Sequence, residues 1–438
     1  MSDPRREFAV DVVKRLTAAG YQALWAGGCV RDLLMSRSPG DYDVATSATP
    51  EEVRQVFGPR RTIPVGESFG VIIVRGPHHD SGQVEVATFR SEGPYSDGRR
   101  PDHVAYSTAE QDAHRRDFTI NGIFYDPVAE TILDYVGGEA DLRARRLRAI
   151  GEPHERIRED KLRMLRAIRF AAVLDFNLDA ATARAITEMS TDVKLVSAER
   201  IAQELQKMLT SPRRRRAIEL AGETGLLAAI LPELTPPANP ESHSDGTSWL
   251  QTLLALERLQ IARFETAFAM LLRQLPASPP HQDPRTAPRT AGGEESGTVR
   301  GVCRRLKLSN EQTELIGWLV ASQWDAEGME RAEPWRWKRF LQQPHVGELL
   351  RFLSVLRSAT GEDPTSVDYL ADLRHRLTPE EINPPLLVSG DDLKSAGLRP
   401  GPRFRELLDA VRNAQLNGEV ETREQALQWL QRNLSSPH

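Results

Sequence analysis

Gly27-Gly28-Cys29-Val30-Arg31-Asp32, followed shortly by Gly40-Asp41-Tyr42-Asp43, is the stretch that decides how this chain is read. A β-strand turns successive side chains to opposite faces, so Asp41 and Asp43 leave it on the same side. Two like charges that close repel unless a cation lies between them, and hard carboxylate oxygens suit Mg²⁺. The glycine pair upstream lets bare backbone N–H groups come against a phosphate chain, with Gly28 and Arg31 as the nearest candidate contacts. Together these residues read as a site for metal-assisted attack on a nucleoside triphosphate. An isolated Asp-x-Asp is more often a solvated turn or strand feature, so the weight comes from what surrounds it.

Upstream, Phe8, Val12, Val13 and Leu16 share one helical face over residues 5–19, and Gly20 closes the helix. Residues 21–26 read as a strand that runs into the glycine pair. Residues 30–35 suit a short helix, its positive end towards the phosphate site. Residues 41–45 form the next strand, and a capped helix starts near Thr49-Pro50-Glu51-Glu52. Residues 71–74 and 83–89 are further strands. In the second of these, alternation turns Glu85 away from Val84 and Val86, either onto a solvated strand face or towards the aspartates as a third carboxylate.

From Glu155 onward the pattern becomes helical. Leu162, Leu165, Ile168, Arg169 and Ala172 have helical spacing. Residues 197–209 form an amphipathic helix with Ser197 in the capping position, Ile201, Leu205 and Met208 inward, and Arg200 facing away. Residues 91–106 contain Gly93, Gly98 and Pro101 and read as a mobile loop. Residues 232–247 and 274–297 have loop-like composition, and the second reads as a disordered insertion.

At 438 residues the chain exceeds a single core, so two or three domains are expected. A content of 39% hydrophobic and 27% charged residues is that of an ordinary soluble globular protein. The net charge of −5 supplies no global attraction to nucleic acid, so any such binding needs a local basic patch. With only Cys29 and Cys303 there is neither a disulfide framework nor a cysteine-rich zinc site. The start lacks an apolar signal core and no apolar run is long enough to span a bilayer. A cytoplasmic protein without membrane partners is expected.

The glycine–aspartate stretch resembles the nucleotidyltransferase signature of bacterial CCA-adding enzymes and the related poly(A) polymerases. The likeness continues in order through Arg115-Arg116-Asp117-Phe118-Thr119-Ile120-Asn121, Asp134-Tyr135-Val136-Gly137-Gly138, Glu159-Asp160-Lys161-Leu162-Arg163 and Ser197-Ala198-Glu199-Arg200-Ile201. Five motifs in sequence cover roughly the first half of the chain. The resemblance implies an α+β architecture: a polymerase β-like head with a mixed sheet over residues 1–150, an all-α neck over 151–216, and a helical body and tail over 217–438. It implies template-independent addition of C, C and A from CTP and ATP to the 3′ end of tRNA, with no obligate protein partner. Asp41 and Asp43 would hold Mg²⁺, with Glu85 beside them, and Arg116 and Asp117 would meet the phosphates and the ribose.

Asp160 and Arg163 are expected three apart on one helical face. Asp only accepts hydrogen bonds and Arg only donates. Cytosine and adenine pair an amino donor with a ring-nitrogen acceptor, whereas uracil and guanine present the reverse order. Such a pair therefore accepts C and A and leaves polar groups unmatched against U and G. Alone, Asp-x-x-Arg reads better as an i,i+3 salt bridge. Arg166 and Arg169 continue the stripe, and the resemblance implies that they reach the triphosphate or primer backbone. Arg213-Arg214-Arg215-Arg216 reads equally as a tRNA-phosphate contact or a solvated charge run.

The same residues serve an enzyme that adds A only, a poly(A) polymerase, or a non-catalytic RNA-binding nucleotide sensor. Some family members carry a phosphohydrolase-like body with metal-binding histidines. Here Gln251 and Arg273-Gln274 stand at those positions, so a catalytically silent helical scaffold is expected. Gly122 stands where relatives more often have alanine. The stretch 390–419 resembles the family's tail, with Arg399 and Arg403 as weak phosphate-contact candidates.

Overall fold

The computed structural model describes residues 3–66, 70–92, 104–234, 245–260, 263–277, 298–395, 398–399 and 401–434. The loop expectations for 91–106, 232–247 and 274–297 fall mainly outside these described residues. The chain divides into two compact units, Met1–Thr235 and Pro236–His438. Among the described residues no helix is long and apolar enough to cross a membrane.

Helix α1 (Pro4–Ala18) buries Phe8, Ala9, Val12, Val13 and Leu16, the face its spacing predicts, and the Asp3 side chain caps its start. Strand β1 (Ala23–Ala26) is buried throughout and runs into Gly27, whose φ of 72° opens helix α2 (Gly28–Leu34). Strand β2 (Asp43–Thr46) begins two residues later than predicted, so Asp41 lies in the bend before it. Helix α3 (Pro50–Phe57) has the expected cap: Thr49 and Glu52 each accept from the other's backbone N–H.

Strands β3 (Thr62–Gly66), β4 (Val71–Arg75) and β5 (Gln83–Thr88) follow. A separate antiparallel pair, β6 (Arg90–Glu92) and β7 (Val104–Tyr106), leads to helix α4 (Ala109–Arg115). Strands β8 (Ile123–Asp126) and β9 (Thr131–Asp134) complete a seven-stranded sheet in the order β3-β4-β5-β2-β1-β8-β9. Only β2 and β5 run parallel within it, with Asp43 opposite Glu85.

The two sheet faces carry different loads. Trp25, Tyr42, Val44, Val84 and Val86 pack with α1 into one core cluster. Leu24, Ala26, Ala45 and Phe124 join Ala109 and Ala113 of α4 on the other. Because side chains alternate, Asp43 and Glu85 must emerge on the Ala45 face. The apolar load on Tyr42, Val44, Val84 and Val86 thus aims the carboxylates outward from the main core.

The rest of the first unit is mainly helical, with α5 (Gly138–Arg143), α6 (Pro153–Glu159), α7 (Leu162–Leu174), α8 (Ala180–Glu188), α9 (Ala198–Thr210), α10 (Arg214–Glu223) and α11 (Leu226–Ile230). A short parallel pair, β10 (Arg146–Leu147) and β11 (Asn177–Leu178), nevertheless places a strand in the neck expected to be all-α. One expectation is corrected here. Asp160 is not on a helix with Arg163: α6 ends at Glu159, and Asp160 has extended backbone (φ −145°, ψ 106°). Its Oδ1 accepts from Leu162 N at 3.0 Å, so its side chain starts α7 rather than riding on it. Ser197 occupies the N-cap position of α9, but its side chain makes no capping bond.

The second unit's described residues are almost wholly helical. Arg273 follows its helix Phe264–Leu272, donating to Thr252 Oγ1 at 3.1 Å and lying 3.4 Å from Gln251 Oε1. Those two positions, read above as replacements for imidazole ligands, thus face each other as a guanidinium and an amide. Near the C-terminus, Val388, Leu393, Leu407, Val411 and Leu430 form a small separate core. Arg399 and Arg403 are exposed there.

Candidate active site

A cleft of about 730 Å³ opens over the polar face of the sheet, within the first unit. Asp41, Asp43 and Glu85 lie on one side of it, Gly27, Gly28 and Arg31 at the β1–α2 turn, and Arg115, Arg116, Asp117 and Asn121 after α4. Asp160, Arg163, Arg166 and Phe170 reach in from the helical region. The tertiary fold thus brings together ten of the eleven residues that the sequence offers as metal or nucleotide contacts. Arg169 is the exception: its Nε donates to Glu204 Oε2 at 2.6 Å, turning it towards α9. Arg200 points away from the α9 core as expected, but Glu204 is buried with it to meet Arg169.

The acidic side is starved of positive charge. Burial, then the neighbouring Glu85 and Asp41 charges, push the Asp43 carboxyl up to about 6, with Arg116 acting against them. A carboxyl raised by other carboxylates gains from a cation among them. Among the described residues no three His, Cys, Asp or Glu side chains gather into a metal cage. Mg²⁺ keeps several waters and commonly takes one or two carboxylates plus substrate phosphates, and Asp41 and Asp43 supply such carboxylates on the cleft wall. The donor set fits such an ion.

The basic side is built on buried acids. Asp112, 1% exposed, accepts from Arg115 Nε at 2.9 Å and from Arg116 Nη2 at 2.9 Å. Burial pushes its carboxyl up, but the two guanidiniums outweigh that and hold it below its usual range. Gly27 makes room for this arrangement, since a Cβ there would stand 3.3 Å from Arg116 Nη1 at a φ that side chains disfavour. Arg31 donates to Asp32 Oδ1 at 2.9 Å and to Asn121 Oδ1 at 2.9 Å.

Asp117 receives Asn121 Nδ2 at 3.1 Å on one oxygen and both Nε (2.9 Å) and Nη2 (2.5 Å) of Arg166 on the other. Its burial opposes ionisation, yet Arg166 and these hydrogen bonds keep its carboxyl low. Arg163 donates to Glu159 Oε2 at 2.5 Å, which also takes Arg156 Nη1 at 2.9 Å. Asp160 pairs with Arg200 instead of Arg163, at 2.8 and 3.2 Å.

Sequence reasoning missed Asp112, Glu159, Phe170 and Arg200 as parts of this site. Glu159 and Arg200 stand inside the quoted motifs, but nothing local shows that Arg200 meets a carboxylate forty positions away. The four arginines of the tetrad have different surroundings. Arg214 is 2% exposed with its Nε on the Leu209 carbonyl, and Arg215 and Arg216 each pair with a glutamate on α10 at 2.9 Å. Arg213 and Arg216 keep side chains 57% and 43% exposed, so the tetrad is split between a buried guanidinium and open ones.

The family described as "Poly A polymerase head domain" matches residues 23–148, and the one described as "Probable RNA and SrmB- binding site of polymerase A" matches 175–236. The chain is 34% identical over 434 residues to the CCA-adding enzyme of Geobacillus thermodenitrificans, covering 98% of this chain and 97% of that one. It is 36% identical over 436 residues to the CCA-adding enzyme of Geobacillus stearothermophilus, with the same coverage of 98% and 97%. The crystal structure of the Bacillus stearothermophilus CCA-adding enzyme in complex with CTP superposes with a TM-score of 0.74 at 31% identity, covering 99% of this chain and 98% of that one.

Proposed function

The chain belongs to the CCA-adding enzymes, and on that premise we propose that it adds C, C and A from CTP and ATP to the 3′ end of tRNA. The observation that carries this reading is the register of β2 on β5, which sets Asp43 beside Glu85 across one cleft from Asp160 and Arg163. Acidic and base-reading groups then face the two ends of a nucleotide.

Asp41 and Asp43 are the residues that would hold Mg²⁺, with Glu85 adjoining. Bound there, the ion would neutralise phosphate charge and lower the pKa of the attacking 3′-hydroxyl. Arg31, Arg116 and Arg166 present donors to the triphosphate oxygens, where fixed cations act without reorganising. Asp117 accepts from the ribose hydroxyls. Asp160 accepts from the amino group of cytosine or adenine: a carboxylate has about four acceptor sites, so the Arg200 contacts leave capacity for the base. Arg163 donates to the base's ring nitrogen through N–H groups that Glu159 does not engage. Arg169 acts from outside the cleft, through Glu204. We assign the head to residues 1–150, the neck to 151–216 and the body and tail to 217–438.

The test uses tRNAs ending before the first C, after C and after CC, with one nucleoside triphosphate supplied at a time and the 3′ ends sequenced. Stepwise C, C and A incorporation is expected. Addition of A alone, even to the CC-ended tRNA, overturns this in favour of an A-adding enzyme.

A further inference from the structure

One aromatic ring gathers three arginines, two of them in the cleft. The Phe170 ring centre lies 5.5 Å from the guanidinium carbon of Arg31, 5.3 Å from that of Arg166 and 4.1 Å from that of Arg169. Phe118 meets the ring edge-on at 5.8 Å. Arg31 stands on α2 and Arg166 on α7, so cations from two separate segments converge on the same ring.

Each guanidinium keeps a carboxylate of its own: Asp32 for Arg31, Asp117 for Arg166 and Glu204 for Arg169. Arg31 and Arg166 are linked by a polar chain through Asn121 and Asp117. That chain is long and hinged at two side chains, whereas the ring touches both cations. The electron-rich face of an aromatic ring attracts a guanidinium within about 6 Å. Like-charged groups that would otherwise spread apart can therefore stay gathered around it.

We propose that Phe170 is a positioning residue for the incoming triphosphate, holding Arg31 and Arg166 in place before the anion arrives. The inference rests on reading this cleft as the CTP and ATP site. Without the ring, Arg31 keeps only its Asp32 and Asn121 contacts and Arg166 only Asp117, so each guanidinium can pivot about its carboxylate and more rotamer entropy is lost on binding. The penalty falls on nucleotide affinity, because the carboxylates opposite are untouched.

The experiment measures C addition to tRNA ending before the first C, at varied CTP, for the wild-type protein and for Phe170→Leu, Phe170→Met and Phe170→Tyr. Calorimetric titration with inorganic triphosphate accompanies it. Phe170→Leu is expected to raise the KM for CTP about tenfold, equivalent to about 1.4 kcal/mol, with kcat within about twofold of wild type, since contacts of this kind act on binding. Inorganic triphosphate should weaken in parallel, and Phe170→Tyr should restore both. Phe170→Met serves in place of Leu if the latter does not fold. Wild-type KM in the aliphatic variants, equal impairment of Leu and Tyr, or a loss confined to kcat each overturns the proposal. A wild-type protein that incorporates no C instead removes the reading of the cleft on which the proposal rests.

Discussion

Asp160 engages Arg200, forty residues away in the chain, at 2.8 and 3.2 Å, although Arg163 stands only three positions from it. The helix break at Asp160 turns its carboxylate towards α9, while Arg163 is drawn to Glu159 on α6. The two groups proposed to read the base are thus oriented by different partners, and each is set independently of the other.

Arg200→Ala should therefore loosen base choice through Asp160 without touching the substrate. Removing the charged partner leaves a largely buried carboxylate held only by the Leu162 N–H, so the ratio of kcat/KM for CTP to that for UTP is expected to fall about tenfold. Arg163→Ala should move the same ratio in the same direction. An unchanged ratio in both variants would show that these side chains do not read the base.

Asp43→Asn should abolish incorporation while the fold persists, since Asn occupies the same space at the head of β2. Loss of metal-ion charge stabilisation worth several kcal/mol predicts a fall in kcat of about a thousandfold or more. Chelation of divalent cations should reproduce that loss in the wild type, and added Mg²⁺ should reverse it. Primer extension on CC-ended tRNA measures both.

Asp112→Ala should weaken activity and stability together. The side chain is 1% exposed and anchors Arg115 and Arg116, so its removal leaves two guanidiniums without their shared acid. Breaking a buried pair in this way costs on the order of 3 kcal/mol. The melting transition of the first unit should fall by several degrees, and the KM for CTP should rise.

A pH dependence of stability is expected from His154, which joins Glu188 at 2.7 Å and Glu152 at 3.1 Å. Its hydrogen bond to Glu188, then that to Glu152, raises its pKa above the ordinary 6.5. A raised folded-state pKa means that its contribution is complete below about 6.5 and is lost as pH climbs through the higher folded value. Thermal melts across pH 6 to about 9 should show this decline. His154→Gln, which cannot titrate, should flatten it.

Much of the site was legible because its logic is local. The alternation around Asp43 and Glu85 predicted a shared face, and the apolar partners Val44, Val84 and Val86 show the reason: they occupy the opposite core, while Asp41 joins the same cleft from the bend before β2. The Thr49–Glu52 cap and the buried stripe of α1 were readable on the same grounds. Asp160 was misread because helical periodicity runs on through Glu159, Asp160 and Arg163, and the break is made by Asp160's own side chain bonding Leu162 N. Arg169 was misread because its stripe position says nothing of Glu204 on another helix.

By itself the sequence determined the chemical inventory and the period with which each strand and helix presents it: paired carboxylates after a glycine turn, arginines at helical spacing, an apolar back to every polar face. Only the tertiary structure decided which opposite charges meet. Ion pairs such as Asp160–Arg200, Asp117–Arg166 and Arg169–Glu204 join segments 35 to 49 residues apart. Their formation depends on how helices and sheet dock, because a guanidinium pairs with whichever carboxylate the packed backbone brings within reach.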